Sequence, residues 1–196
     1  MHHRPEALDA AAPVLEVFEE LRVRHHVGGS LASSVYGTPR ATADVDVVAE
    51  LSDDLASVLV ERFSGAYYVD AGAVLDAIRR RRSFNLIHLE TMVKVDVFIP
   101  EDRAFDQQEL ARARRLSLEP VEGARLYFVK SAEDLVVRKL EWYRRGGEVS
   151  ERQWNDVIGV LRVQAGRLDE EYLDRWAGEL RLSDLLDAAM KQAGGP

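Results

Sequence analysis

The stretch 27–50, VGGSLASSVYGTPRATADVDVVAE, constrains this chain more than any other. It opens on Gly28, Gly29 and Ser30 and continues through one or two expected helical turns at 31–36. A turn at Gly37-Thr38-Pro39-Arg40 follows, and the stretch ends on Asp44-Val45-Asp46 inside a run of valines. Glycines let a backbone approach an anion closely and take conformations closed to other residues. A helix that begins just behind them aims its unpaired N–H groups at that anion. Ser30 stands where a helix cap belongs and brings a hydroxyl. In a strand, residues two apart share a face, so Asp44 and Asp46 project together while Val45 and Val47 enter the core. Two hard carboxylates on one face suit Mg2+ shared with substrate phosphates. The pattern therefore reads as a site for a nucleoside triphosphate and magnesium.

In the order Gly-Gly-Ser, Gly37, Arg40, Thr42, Asp44-x-Asp46, the chain resembles the DNA polymerase β-type nucleotidyltransferase superfamily. Within it, the chain is similar to the small bacterial nucleotidyltransferases grouped with AbiEii-type toxins of type IV toxin–antitoxin systems. The resemblance implies a third carboxylate on a later strand, and Met92-Val93-Lys94-Val95-Asp96-Val97-Phe98-Ile99 offers Asp96. That run alternates, with Lys94 and Asp96 on one face and Val93, Val95 and Val97 on the other. It also implies transfer of a nucleotidyl group from an NTP to an acceptor hydroxyl, with expulsion of pyrophosphate and two Mg2+ ions as cofactor. Asp44 and Asp46 would hold the nucleotide-bound metal and share the second. Asp96 would bind the second and help deprotonate the acceptor. Gly28, Gly29 and Ser30 would hold the β- and γ-phosphates. Arg40 and Thr42 belong to the same nucleotide-binding stretch. They are expected to pin the loop ahead of Asp44, direct substrate contact being the alternative.

In the toxin-like relatives a lysine on the first helix after the sheet and an acid on the next helix belong to the site. Lys139 and Asp156 hold those places here. The resemblance gives Lys139 the role of a point charge for the leaving pyrophosphate. Asp156 would orient that group or a nearby arginine. Read from the residues alone, both are equally ordinary helix-surface charges. The Gly-Gly-Ser here departs from the simple Gly-Ser of many relatives.

The rest of the chain supports an α+β class: a mixed sheet flanked by helices in the nucleotidyltransferase fold, with a C-terminal helical bundle. A core over 1–130 and a helical part over 131–196 are expected. An amphipathic helix from Pro5 to about Arg22 precedes a short strand at Val23 to Val27. Ser52 reads as the cap of a helix through Phe63 that Gly65 ends, and Ala66 to Val69 as a short strand. Ala73 to Arg81 reads as a helix running into four arginines, Arg79 to Arg82. Ser83 to Glu90 and Thr91 to Pro100 read as an antiparallel hairpin that carries Asp96 beside Asp44-x-Asp46. Phe105 to Arg115 reads as a helix, with strands at Leu116 to Leu118 and Leu126 to Val129. From Ser131 on there are four helices, and Ala193 to Pro196 is expected to fray. His25 and His26 are adjacent and face opposite sides of a strand, so they cannot share a metal. Met1-His2-His3 is given no function.

Composition narrows the function. With 46% apolar residues in 196, the chain can bury a core of ordinary size. A net charge of −8 argues against bulk electrostatic binding to nucleic acid. No cysteine is present, so zinc-thiolate and thiol chemistry are excluded. No apolar run approaches the ~18 residues of a membrane span, and the cytoplasm is the expected location. The leading expectation is a toxin-like nucleotidyltransferase acting on RNA, such as a tRNA 3′ end, or on protein, with an antitoxin partner. A small-molecule acceptor such as an aminoglycoside antibiotic is the rival within the same chemistry. A non-catalytic module that keeps the fold to bind a partner is the rival outside it. Arg79–Arg82 and Arg112–Arg115 weigh towards RNA, and the net charge weighs against it.

Overall fold

The computed structural model describes residues 6–119 and 121–194, which hold seven strands and nine helices. In chain order these are α1 (Glu6–Glu20), β1 (His25–Val27), α2 (Gly29–Tyr36), β2 (Asp44–Ala49), α3 (Leu55–Phe63), β3 (Tyr67–Tyr68), α4 (Ala71–Arg80), β4 (Ser83–His88) and β5 (Lys94–Phe98). Then come α5 (Ala104–Ala111), β6 (Arg114–Ser117), β7 (Leu126–Val129), α6 (Ala132–Arg145), α7 (Glu151–Val163), α8 (Glu170–Glu179) and α9 (Ser183–Gly194). Met1-His2-His3 and the last two residues of the expected frayed end lie outside the described residues. Among the described residues, no helix is long and apolar enough to cross a membrane.

The strands form one mixed sheet in the order β3-β4-β5-β2-β1-β7-β6. Two pairs are parallel, β2 beside β5 and β1 beside β7, while β1–β2, β3–β4, β4–β5 and β6–β7 are antiparallel. The central strands are valine-rich and bury alternate residues, because one face of the sheet carries the core and the other carries charge. Val45, Val47, Val95, Val97, Phe84 and Leu86 join Leu8, Leu15 and Phe18 of α1 and Leu59, Phe63 and Val74 of α3 and α4 in one buried cluster. Burial of each large apolar side chain there contributes about 1.5–3 kcal/mol.

The chain divides into two compact units. One holds Met1–Leu31 and Ala41–Val129, and the other holds Ala32–Arg40 and Lys130–Pro196. The first contains the whole sheet. The second is helical, and α6 runs through its middle, packing on α7, α8 and α9. This helix is buried on nearly every side, down to Glu133, Asp134, Lys139 and Glu141. Those acids are matched locally. Ser131 caps α6 by accepting from the Asp134 N–H, and its hydroxyl lies 2.6 Å from Asp134 Oδ2. Tyr172 of α8 donates to Asp134, and Glu133 accepts from the Asp169 N–H at 3.2 Å. Segment 32–40 is tied to α7. Gln164 donates to the Tyr36 carbonyl at 2.8 Å, and a Cβ placed on Gly37 would stand 3.0 Å from the Val160 nitrogen. Only a glycine lets that turn lie so close to the helix backbone.

Several elements differ from the sequence expectation. Arg114 and Arg115 belong to β6, not to the end of α5, which stops at Ala111. Alternation in that short strand is masked by the charges around it. Asp54, not Ser52, stands at the N-cap of α3 and makes no side-chain cap bond. The C-cap there is Ser64, one residue before Gly65. Ala193 and Gly194 continue α9.

Candidate functional site

The sheet register determines which charged side chains meet. Asp44 pairs with Lys94 and Asp46 pairs with Asp96 across the β2–β5 parallel ladder. Paired residues on adjacent strands point to the same face, so the three carboxylates and one ammonium form a two-by-two block. On the far side of β5, Asn85 of β4 pairs with Asp96. On the far side of β2, the ladder runs into the glycines, where the Gly28 N–H donates to the Asp46 carbonyl at 2.8 Å.

Gly29 is the first residue of α2 and has φ of +52°. A Cβ built on it would lie 1.7 Å from Asp46 Oδ2. The position demands glycine twice, for its left-handed backbone and for the carboxylate beside it. Asp46 thus lies against the first turn of α2, where the N-terminal end of the helix dipole favours negative charge. Ser30 follows it and is buried. Thr42 prepares the other acid: its hydroxyl lies 2.8 Å from Asp44 Oδ1 and 3.0 Å from the Asp44 carbonyl. Asp96, 8% exposed, has Lys94 Nζ at 2.7 Å from its Oδ2. That hydrogen bond raises the Lys94 pKa above the ordinary lysine value; slight burial opposes it, and the charges of Asp96, Asp44 and Asp46 add to the rise.

The second unit holds another charged group. Arg40 donates twice to Asp156, Nε to Oδ1 and an Nη to Oδ2, both at 3.1 Å. Lys139 Nζ lies 2.8 Å from the same Oδ2. Burial pushes the Asp156 carboxyl up, but the bonds from Arg40 and Lys139 outweigh it and hold the pKa below 3.8. Two cations therefore share one carboxylate that is 9% exposed. Replacing it removes charge-assisted hydrogen bonds to both, and hydrogen bonds to charged groups contribute about 1.5–3 kcal/mol each. Asp156→Asn is expected to cost about 3 kcal/mol at neutral pH, read by urea unfolding. Because the folded pKa is depressed, this stabilisation is present above 3.8 and lost as pH falls through the folded value. The gap between wild type and Asp156→Asn should close in acid.

The structure thus groups Gly29, Thr42, Asp44, Asp46 and Asp96 in the first unit, and Arg40, Lys139 and Asp156 in the second. Among the described residues, no set of three or more His, Asp or Glu side chains converges to hold a metal ion. Asp44, Asp46 and Asp96 share a face without closing on one point, and Asp96 is engaged by Lys94. The donor chemistry nevertheless fits Mg2+: hard carboxylate oxygens on neighbouring strands, beside a glycine whose missing side chain leaves room for Asp46. Sequence reasoning left two features unassigned. Alternation already put Lys94 on the face of Asp96, which was the signal for their contact. The Arg40–Asp156 pair, 116 residues apart, leaves no local signal.

Three histidines and several of the singled-out arginines have structural partners among the described residues. His25 donates from Nδ1 to the Val23 carbonyl, 2.9 Å away, and its ring packs on Phe18 and Phe128. Burial lowers its pKa and keeps it neutral. His26, fully buried, has Nε2 3.8 Å from Glu109. His88 contacts Thr91 at 2.9 Å and packs on Tyr67. Arg79, Arg80 and Arg81 pair with Asp53, Asp76 and Asp102 at 2.7, 2.7 and 2.9 Å. Arg115 lies over the Phe128 ring.

Similarity to solved structures fixes the architecture. An antigenic nucleotidyltransferase-like protein from Paracoccidioides brasiliensis superposes on 95% of this chain and 93% of its own, with TM-score 0.54 and 16% identity. The chain has the nucleotidyltransferase fold. ANT(2'')-Ia in complex with adenylyl-2''-tobramycin matches 89% of this chain and 96% of its own, with TM-score 0.54 and 14% identity. The solution structure of the antibiotic-resistance factor ANT(2'')-Ia matches 92% and 94%, with TM-score 0.52 and 16% identity. No family model and no curated protein matches the sequence.

Proposed function

We propose that this chain is a Mg2+-dependent nucleotidyltransferase, moving an NMP group from an NTP to an acceptor hydroxyl. The observation that carries this reading is the register of β2 and β5, which sets Asp46 beside Asp96 on the face that bears Asp44. The metal supplies charge stabilisation for the attacking and leaving oxygens when bound. Asp44, Asp46 and Asp96 are the residues that would hold it. The backbone at Gly28 and Gly29 and the Ser30 hydroxyl orient the triphosphate at the start of α2. The acceptor oxygen attacks the α-phosphorus, the bond to the bridging oxygen breaks, and pyrophosphate departs. Asp96 takes the acceptor proton. Most of the rate enhancement comes from alignment and fixed charge rather than a covalent intermediate.

For the acceptor we favour a small polyhydroxylated, cationic molecule. Arg79, Arg80 and Arg81, three of the arginines that weighed towards RNA, are paired with acids, and the chain carries a net charge of −8. The likeness in fold to the antibiotic-resistance factor ANT(2'')-Ia, solved in complex with adenylyl-2''-tobramycin, adds support. The toxin-like reading, with RNA or protein as acceptor and an antitoxin partner, is the second. It is supported by the residue order over 27–50. Incubation with each α-labelled NTP against total RNA, cell lysate and a panel of aminoglycosides tests these readings together. Metal-dependent label on an aminoglycoside is the expected result, and label on RNA or protein instead selects the toxin-like reading. No transfer to any of them, with no metal-dependent NTP uptake by calorimetry, would leave a partner-binding module.

A further inference from the structure

Lys94 is the one cation in the two-by-two block on the sheet face, set against Asp44, Asp46 and Asp96. Its ammonium lies 2.7 Å from Asp96 Oδ2, although its side chain is 43% exposed and free to hydrate elsewhere. Three carboxylates on adjacent strand positions repel one another when nothing lies between them. A flexible four-carbon stem with a compact charge is well suited to relieve that repulsion. Mg2+ approaches carboxylate oxygen to about 2.0–2.1 Å in strict octahedral geometry. An ammonium on the same Asp96 oxygen then meets a divalent ion at close range, so the two cations compete.

We propose that Lys94 is a resident counter-cation of the carboxylate block, holding Asp96 until a divalent metal displaces it. This rests on the reading of Asp44, Asp46 and Asp96 as metal ligands. Lys94 then does two things at once: it stabilises the metal-free protein and sets the metal affinity lower than the three acids alone would give. It is a positioning residue, not a ligand.

The test uses the full chain and Mn2+ or Mg2+ alone, with no substrate. Lys94→Met keeps an unbranched side chain one atom shorter and removes its charge. Its melting temperature in EDTA should fall by a few degrees, and its Mn2+ dissociation constant by calorimetry should drop about 5- to 30-fold. Lys94→Arg restores the competing charge and should bind Mn2+ within about 2-fold of wild type. Lys94→Gln, a second uncharged variant, should tighten binding as the methionine does if Lys94→Met folds poorly. Unchanged or weaker metal binding in both uncharged variants would overturn the proposal. Asp46→Asn separates it from the functional reading. If that variant abolishes metal binding while Lys94→Met leaves affinity unchanged, only the role of Lys94 fails. If Asp46→Asn binds metal as wild type does, the ligand assignment fails and the role of Lys94 goes with it.

Discussion

Asp46→Asn is expected to lower nucleotidyl transfer by about 10³-fold or more, while the protein keeps its fold. Asp46 pairs with Asp96 across β2–β5 and lies against the first turn of α2, so it stands between the acid block and the glycine turn. Among the described residues, Asp46 is the carboxylate found against Gly29. Removing a single preorganised charge at a transferring centre costs about 10²–10³-fold in related chemistry, and a bridging ligand supports two stabilised oxygens. The substitution is nearly isosteric and relieves like-charge repulsion from Asp44 and Asp96. That gain offsets the loss of the favourable field at the start of α2, so the thermal midpoint without metal should lie within a few degrees of wild type. A loss of activity that followed a loss of fold would show up as a lowered midpoint, so the two measurements belong together.

Gly29→Ala is expected to fail on both counts. A β-carbon there would stand 1.7 Å from Asp46 Oδ2, and the residue has φ of +52°. The left-handed conformation costs a non-glycine residue about 1–2 kcal/mol. Asp46 must also swing away, and a displacement of about 1 Å at a reacting centre can cost about 10²-fold in rate. We expect a stability loss of about 2 kcal/mol by urea unfolding and a fall of about 10²-fold in kcat/KM. Gly65→Ala is the control. No atom lies within 4 Å of a Cβ there, and it should be close to neutral in both measurements.

The parts legible in the sequence were those governed by short periods. Alternation in 44–49 and 92–99 assigned the faces of β2 and β5, and the hairpin β4–β5 follows from two alternating runs joined by a turn. The start of α6 was legible where Ser131 meets the helix N–H groups ahead of two acids. Charge obscured β6, because Arg114 and Arg115 look like the end of a basic helix and a four-residue strand has little room for a pattern. Contacts that depend on the chain returning to itself were not legible. Segment 32–40 belongs with the C-terminal helices through Arg40–Asp156 and the close approach of Gly37 to α7. A local window sees only a loop before Asp44. Arg40 and Thr42, two residues apart, do different work for that reason: one grips Asp156, the other orients Asp44.

Anomalous diffraction from crystals soaked with Mn2+ and a non-hydrolysable NTP analogue addresses the carboxylate block most directly. The account predicts Mn2+ coordinated by Asp44 and Asp46, with Asp96 turned from Lys94 towards the metal and the triphosphate seated at the start of α2. Mn2+ peaks remote from these three residues, or a triphosphate bound away from Gly28 and Gly29, would contradict it.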